Sequence, residues 1–299
     1  MLTAILVGVD LAHVFEVLRD MDWLPFLGAL TIFLSGAFIR AYRWGSLVWA
    51  LGVKVRWLRL VELHFVGAFF GMFLPTGVGG DAVKMYELSR HDHKASAAIS
   101  SVLVDRFTGL FVLFAIALLA LIGGHELVTQ QVRLLIALVF AVSLVAVALV
   151  LQRTWIESWG RRLGLDRLLG RVRILRELYL SLHLYGSSAL LRATGASLAW
   201  NLVLISSYYL LGQAVGLDLS LWYYLLFVPV ISVLLLIPSV AGLGIREGAT
   251  ILLFQQVGVS EPRALALALA YDAIRLTEGL IGAGLYVLQG LVEARRQAR

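Results

Sequence analysis

Nine charged side chains stand inside otherwise apolar runs of this sequence: Asp81, Lys84, Asp105, Arg106, Arg246, Glu247, Asp272, Arg275 and Glu278. Facing lipid at mid-bilayer, each would cost ~2.5–3.5 kcal/mol on an insertion scale, and all nine roughly 25 kcal/mol. That exceeds the ~5–15 kcal/mol that typically stabilises a folded protein. They must face inward, pair with one another, or line water. Two uses follow. In the first, a self-neutralising network only holds helices together, with Arg106 on Asp105 or Asp81 and Arg275 on Asp272 or Glu278. In the second, Arg106, Arg275, Arg246 and Lys84 bind an anionic headgroup in a cavity shared with the carboxylates. Arginine suits that role because its planar fork matches phosphate oxygens two at a time. Arg40 and Arg43, one turn apart near Trp44, are either snorkelling anchors or an access site that attracts lipid phosphate. His91-Asp92-His93 has imidazoles at i and i+2 on a polar turn, a poor metal geometry, and no metal is expected.

The elements that hold these residues are membrane helices. Of 299 residues, 60% are hydrophobic and 15% charged, against about 45–50% and about 25% in a soluble domain. Mean hydropathy is +0.88, and no strand-like alternation runs through the chain, which excludes a β-barrel. The expected fold class is all-α: a polytopic helical membrane protein in a single domain, 1–299. Spans are expected at 24–49, 95–122, 134–151, 193–215 and 264–291. Met1 to Val9 is too short to span and reads as the end of a first helix. Residues 10–23, with Leu11, Val14, Phe15 and Leu18 at helical spacing, read as an amphipathic interfacial helix.

Two segments are broken. The run from Phe65 stops at Pro75, turns through Gly77, Gly79 and Gly80, and resumes with Asp81 and Lys84. Each arm is about 14 residues, short of the ~20 needed to cross. A helical hairpin that enters and leaves on one side satisfies both lengths, and irregular backbone at that depth requires a protein or water lining. The second break runs from Trp222 through Pro238, Gly242 and Gly244 to about Val257. Helix N-termini after Gly80 and Gly244 would add N–H donors and a positive dipole end to the cavity.

Charge sets the orientation. The loop at 52–59, the patch Arg90–Lys94, the basic segment 152–192 and the C-terminal tail share one side, whereas the loops at 10–22, 123–131, 216–220 and 258–263 are poor in bases. Alternating spans reproduce this partition only if both broken segments are hairpins, with the C-terminus cytoplasmic. The net charge of +6 therefore belongs to membrane electrostatics, with 152–192 on anionic lipid. No nucleic-acid partner is expected.

The halves repeat. Ala50-Leu-Gly-Val resembles Ala214-Val-Gly-Leu; Leu74-Pro75-Thr76 resembles Ile237-Pro238-Ser239; Asp105-Arg106-Phe-Thr-Gly-Leu110 resembles Asp272-Ala-Ile-Arg275-Leu-Thr-Glu-Gly-Leu280. The first repeat, 1–122, and the second, 131–292, have opposite expected orientation. Inverted repeats with broken helices are a transporter arrangement, with binding near the midplane.

At Leu74-Pro-Thr-Gly-Val-Gly-Gly-Asp-Ala-Val-Lys84, Val104-Asp-Arg-Phe-Thr-Gly109 and Pro238-Ser-Val-Ala-Gly-Leu-Gly-Ile-Arg-Glu-Gly248, the chain resembles the membrane domain of lysylphosphatidylglycerol synthase/flippase proteins (the multiple peptide resistance factor). The resemblance covers nearly the whole chain. It implies a bacterial or archaeal inner-membrane location and movement of an anionic or modified lipid, aminoacylated or polyprenyl-phosphate-linked, between leaflets. Two departures stand out: no soluble aminoacyl-transferase domain follows Arg299, so no lysyl-lipid synthesis is expected, and the first span is nearly missing.

The expected function is a lipid flippase-like transporter whose partners are membrane lipids. Without a Gly-Lys-Ser/Thr phosphate loop it uses no ATP directly, and no cofactor is expected. The alternatives are a membrane-embedded enzyme that modifies lipids or transfers glycosyl groups, and a non-catalytic scaffold for a separate lipid-modifying enzyme. Neither the energy source nor the oligomeric state follows from sequence, a homodimer being one option. The inverted arrangement has a direct check, because the chain contains no cysteine. Single cysteines in Thr76→Cys and Ser239→Cys are expected to react with membrane-impermeant thiol reagents from opposite sides, and labelling of both from one side would sink it.

Overall fold

The computed structural model describes residues 10–73, 79–92, 95–151, 184–237 and 239–297. Among these residues every regular element is helical and there is no strand. In chain order the helices are α1 (Leu11–Arg19), α2 (Trp23–Ala50), α3 (Trp57–Gly71), α4 (Gly79–Asp92), α5 (Ala95–Gly124), α6 (Gln130–Leu151), α7 (Ser187–Ala214), α8 (Leu221–Leu234), α9 (Ile245–Gln255) and α10 (Glu261–Gln297). The expected breakers Pro75, Gly77 and Pro238, and most of the basic segment 152–192, lie outside the described residues.

Local chemistry sets the helix ends. Asp10 accepts from the N–H groups of Ala12 and His13 at 3.1 and 3.3 Å and starts α1. Asp22 accepts from the Leu24 N–H at 2.9 Å, and its own N–H donates to the Ala214 carbonyl at 2.9 Å. One residue thus caps α2 and ties its start to the end of α7. Gly52 and Gly216, both at positive φ, end α2 and α7 in the same way. In each, the glycine N–H bonds three residues back and the next N–H five residues back: Gly52 to Trp49 and Val53 to Val48, then Gly216 to Gln213 and Leu217 to Gly212.

By length and composition α2, α5 and α7 can cross a membrane. α6 is apolar over 130–145. α10 has the length, at 37 residues, but Asp272, Arg275 and Glu278 interrupt its apolar run. The surface is apolar, with Leu24 80% and Ile122 78% exposed, whereas Ser100, Ser101, Ser197 and Asn201 are buried. This inside-out polarity suits a hydrocarbon solvent and would be a liability in water.

α2 and α7 are long antiparallel partners, seen in the contacts of Gly28 with Leu210 and Gly36 with the Trp200 ring. The lack of a side chain at Gly36 admits that ring between the helices. α3 and α4 form an antiparallel hairpin: Arg59 near one end pairs with Glu87 at 3.2 Å, and Gly67 lies against Gly80 near the other. α8 and α9 form a second, with Tyr224 and Phe227 against Phe254 at ring separations of 5.6 and 5.2 Å and Leu235 against Gly242. Each hairpin packs on the long helix of the other half. α3 lies on α10, where Gly279 and Gly282 admit Met72 and the Phe65 backbone; α8 lies on α5, where Gly123 and Gly124 lie under Trp222 and Leu226. Among the described residues the apolar core has a large part centred on α7, α8, α9 and the start of α10, a smaller one around the end of α2, α3, α4 and the start of α5, and a small cluster of Leu47, Tyr185 and Ala193.

A methyl group at Gly80 would strike the Gly67 carbonyl, and both atoms belong to backbone that cannot move aside. Gly80→Ala is expected to lower unfolding stability in detergent by about 1–3 kcal/mol through overpacking. Gly195→Ala, on α7 with open space around the new methyl, is expected to be neutral or slightly stabilising. Equal effects of the two would contradict this packing.

Candidate functional site

Between the hairpins lies a cavity of about 330 Å³, walled by residues of α2, α3, α4, α5, α7, α8, α9, α10 and the turn before α9. Of the residues singled out by sequence, Arg40, Arg43, Gly80, Asp81, Lys84, Asp105, Arg106, Gly242, Arg246, Arg275 and Glu278 line it. Charged residues that are far apart in sequence, on five helices, converge there.

Their pairing keeps one of the two partners expected for Arg106 and departs from both expected for Arg275. Arg43 donates bidentately to Asp105, Nε to Oδ1 at 2.6 Å and Nη2 to Oδ2 at 2.8 Å, with both residues buried. Asp105 is therefore not the partner of Arg106, which instead donates from Nε to Asp81 Oδ2 at 2.5 Å. Adjacent helix residues point about 100° apart, so Asp105 and Arg106 address different neighbours. Lys84 shares the same carboxylate, with Nζ 3.5 Å from Asp81 Oδ1, and lies 5.6 Å from the centre of the Trp44 ring. Asp81 thus answers two cations.

The second half behaves similarly. Asp272 pairs with Arg246 and Glu278 with Arg40, so neither carboxylate holds Arg275, as the self-neutralising network required. Arg275 Nη1 instead donates to the Ala241 carbonyl at 2.8 Å. Ala241 has φ 55°, followed by Gly242 at 85° and Gly244 at 84°. This left-handed bend turns the Ala241 carbonyl toward α10, and a methyl at Gly242 would come within 2.9 Å of Arg246 Nη2.

Arg40 and Arg43 do not stand apart from the other basic residues but share their cavity wall. The Arg43–Asp105 pair is too buried for snorkelling. Glu247 and Asp272 are not among the lining residues. Glu247 is fully buried and accepts from the Gly244 N–H at 2.7 Å. The N-terminus of α9 is thus capped by its own third residue, so that donor is not free for a ligand as expected. Gly79 is the first residue of α4.

Several wall residues escaped the sequence reading. His64 Nε2 lies 3.4 Å from Glu278 Oε1, and the Trp200 ring lies 4.0 Å from the Arg40 guanidinium carbon. Asn201 Nδ2 donates to the Gly109 carbonyl at 3.0 Å, joining α7 to α5. Tyr271 lies 5.2 Å from the Arg246 guanidinium carbon. His64 and Asn201 carried a signal, as lone polar residues within apolar runs; the aromatic rings carried none.

Residues 1–282 match the family model of the lysylphosphatidylglycerol synthase transmembrane region. The chain belongs to that family. Over 286 residues it is 22% identical to the UPF0104 membrane protein PH1989 of Pyrococcus horikoshii, covering 87% of this chain and 85% of that protein. No solved structure matches it. The matched region contains every wall residue, so in this member of the lysylphosphatidylglycerol synthase transmembrane-region family the basic cavity is built within the family domain itself.

Removing one partner of a buried ion pair leaves the other charge unanswered in a medium of low polarity, at about 3–5 kcal/mol. Asp105→Asn is expected to cost on that order, because Arg43 is only 7% exposed. Glu87→Gln is expected to cost less, since the side chain of its partner Arg59 is 35% exposed. Unfolding in sodium dodecyl sulfate gives the order, and a reversed order would contradict the assignment of these pairs.

Proposed function

We propose that this membrane protein moves a lipid with an anionic, phosphate-bearing headgroup between the leaflets of a bacterial or archaeal inner membrane. The headgroup enters the cavity while the lipid tails stay in the bilayer. One observation carries this reading. A cavity of about 330 Å³ inside a membrane domain is walled by six basic side chains, Arg40, Arg43, Lys84, Arg106, Arg246 and Arg275. That volume is in the range of small-ligand sites, about 300–1,000 Å³. Cations are kept at such a place only where they meet water, carboxylates or an anion.

The chain is read as multi-pass, with a cytoplasmic C-terminus and two inverted repeats whose hairpins α3–α4 and α8–α9 are re-entrant. Reciprocal packing supports this. α3 rests on α10 as α8 rests on α5, and the corresponding helices α2 and α7 run antiparallel with matching glycine ends. In each half the second hairpin arm is also pinned to the next long helix by one ion pair with reversed signs, Asp81 with Arg106 and Arg246 with Asp272. A two-fold axis in the membrane plane accounts for all of these at once, and transport sites lie on such axes.

The test is translocation in proteoliposomes, following headgroup-labelled lipids bleached from outside. Wild type is expected to expose inner-leaflet lipid, and Arg106→Ala and Arg275→Ala to slow this by about tenfold or more, the weight of one lost charge-assisted contact. Wild-type protein that moves no lipid, or variants that move it at the wild-type rate, would overturn the reading.

A further inference from the structure

Glu278 turns a single oxygen toward two nitrogens. Its Oε1 pairs with Arg40 Nη2 from α2, and the same atom lies 3.4 Å from His64 Nε2 on α3. That Nε2 is buried and has no hydrogen-bond partner of its own among the described residues. All three side chains line the cavity, with Glu278 only 3% and His64 only 7% exposed. The carboxylate therefore has one partner that is always charged. It has a second within reach that is charged only when it holds a proton.

The surrounding charges say when that second partner is needed. Among the described residues α3 packs on α2, α4 and α10. The charged groups that bear on the imidazole are Arg40 from α2, Lys84 from α4 and Glu278 from α10. The Lys84 side chain runs along the next turn of α3, beside Gly67. Other charges on these helices are engaged elsewhere: Arg43 with Asp105, Asp81 with Lys84 and Arg106, and Arg275 with the Ala241 carbonyl. On α3 itself, Arg59 pairs with Glu62, and with Glu87 of α4. As these groups stand, Arg40 answers Glu278 and a proton on His64 would place a second cation on one carboxylate. An anionic headgroup in the cavity changes the balance, because the Arg40 side chain, 16% exposed, would then serve two anions with one charge. A buried carboxylate short of its cation is expensive. A proton on His64 supplies the missing charge at the oxygen that needs it, with Nε2–H donated to Oε1.

We propose that His64 takes up a proton when an anionic headgroup binds, and that proton and lipid cross together as a symport. This rests on the transport reading above and adds its coupling ion. The proton comes from water, forms the Nε2–H bond, and returns to water when the headgroup leaves and Arg40 again answers Glu278 alone. No covalent bond to the lipid forms.

The experiment titrates the purified full chain in detergent with phosphatidylglycerol micelles by calorimetry, in buffers of different ionisation heat. A phosphodiester lacks the second ionisation that a phosphomonoester has at a pKa of about 6, so any proton taken up is the protein's. Wild type is expected to take up about one proton per lipid bound, its affinity falling about tenfold per unit rise in pH over the range of uptake. His64→Gln is expected to lose the uptake and the pH slope. Glu278→Gln keeps the imidazole but removes the charge it answers, and should lose the uptake too. Binding by wild type without uptake, or uptake that survives in either variant, would overturn the proposal; the wild-type proton count decides alone where a variant does not fold. Wild type that binds no phosphatidylglycerol would overturn headgroup binding with it. The tail-less headgroup glycerophosphoglycerol should bind far more weakly, and equal proton-coupled binding of it would assign the site to a soluble phosphodiester and overturn the lipid symport. In proteoliposomes made acidic outside, wild type should gather labelled phosphatidylglycerol in the inner leaflet, beyond the level in protein-free vesicles. An even distribution whatever the gradient would overturn the coupling and leave transport standing. Proton-linked binding by protein that moves no lipid would overturn transport and support the proton site.

Discussion

A charge held inside a membrane has to be answered by another charge, by dipoles or by water, and the helices of this protein are arranged around that demand. Arg43 on α2 and Asp105 on α5 make the most complete answer, a buried bidentate pair at 2.6 and 2.8 Å. Arg40 with Glu278 joins α2 to α10, Arg106 with Asp81 joins α5 to α4, and Arg246 with Asp272 joins α9 to α10. Each pair bridges different helices, and desolvation makes breaking any of them expensive. The pairs therefore do more than neutralise. Two of them, Arg106 with Asp81 and Arg246 with Asp272, hold a short helix against a long one.

Small residues make the arrangement possible. Where the hairpin α3–α4 closes, Gly67 and Gly80 bring two backbones into contact; where it rests on α10, Gly282 does the same and Gly279 makes room for the Met72 side chain. Helices in lipid gain little from the hydrophobic effect between themselves and depend on such close packing. Core side chains such as Phe33, Leu113 and Trp200 reach the cavity and complete its wall between the charged groups. A basic cavity is thereby enclosed between two hairpins, the arrangement on which the proposed headgroup binding rests.

Much of this was legible before any coordinates. Hydropathy placed the long helices, closely for α2 and α5 and with ends missed by six residues for α7 and α10, because a membrane demands a run of apolar side chains of nearly constant length. The breaks at Gly79–Gly80 and Gly242–Gly244 were visible because glycine interrupts an apolar run only for a conformational or packing reason. The convergence of most of the nine charges was legible from cost alone. Their pairing was legible only in part, Arg106 with Asp81 being one of the two options for that arginine. Asp105 and Arg106 are neighbours in sequence yet serve different helices, and Asp272 and Glu278 turn away from Arg275 toward Arg246 and Arg40.

By itself the sequence determined that this is a helical membrane protein and that its charged residues must be sheltered, because transfer costs act residue by residue and need no knowledge of neighbours. Only the tertiary structure decided which charge answers which, that Arg40 and Arg43 belong to the cavity wall, and that Glu247 caps α9 instead of facing a ligand. Those outcomes depend on the rotation of each helix and on contacts between residues more than a hundred positions apart, such as Arg40 with Trp200 and Glu278. Helical periodicity says which residues share a face. It does not say what that face will meet.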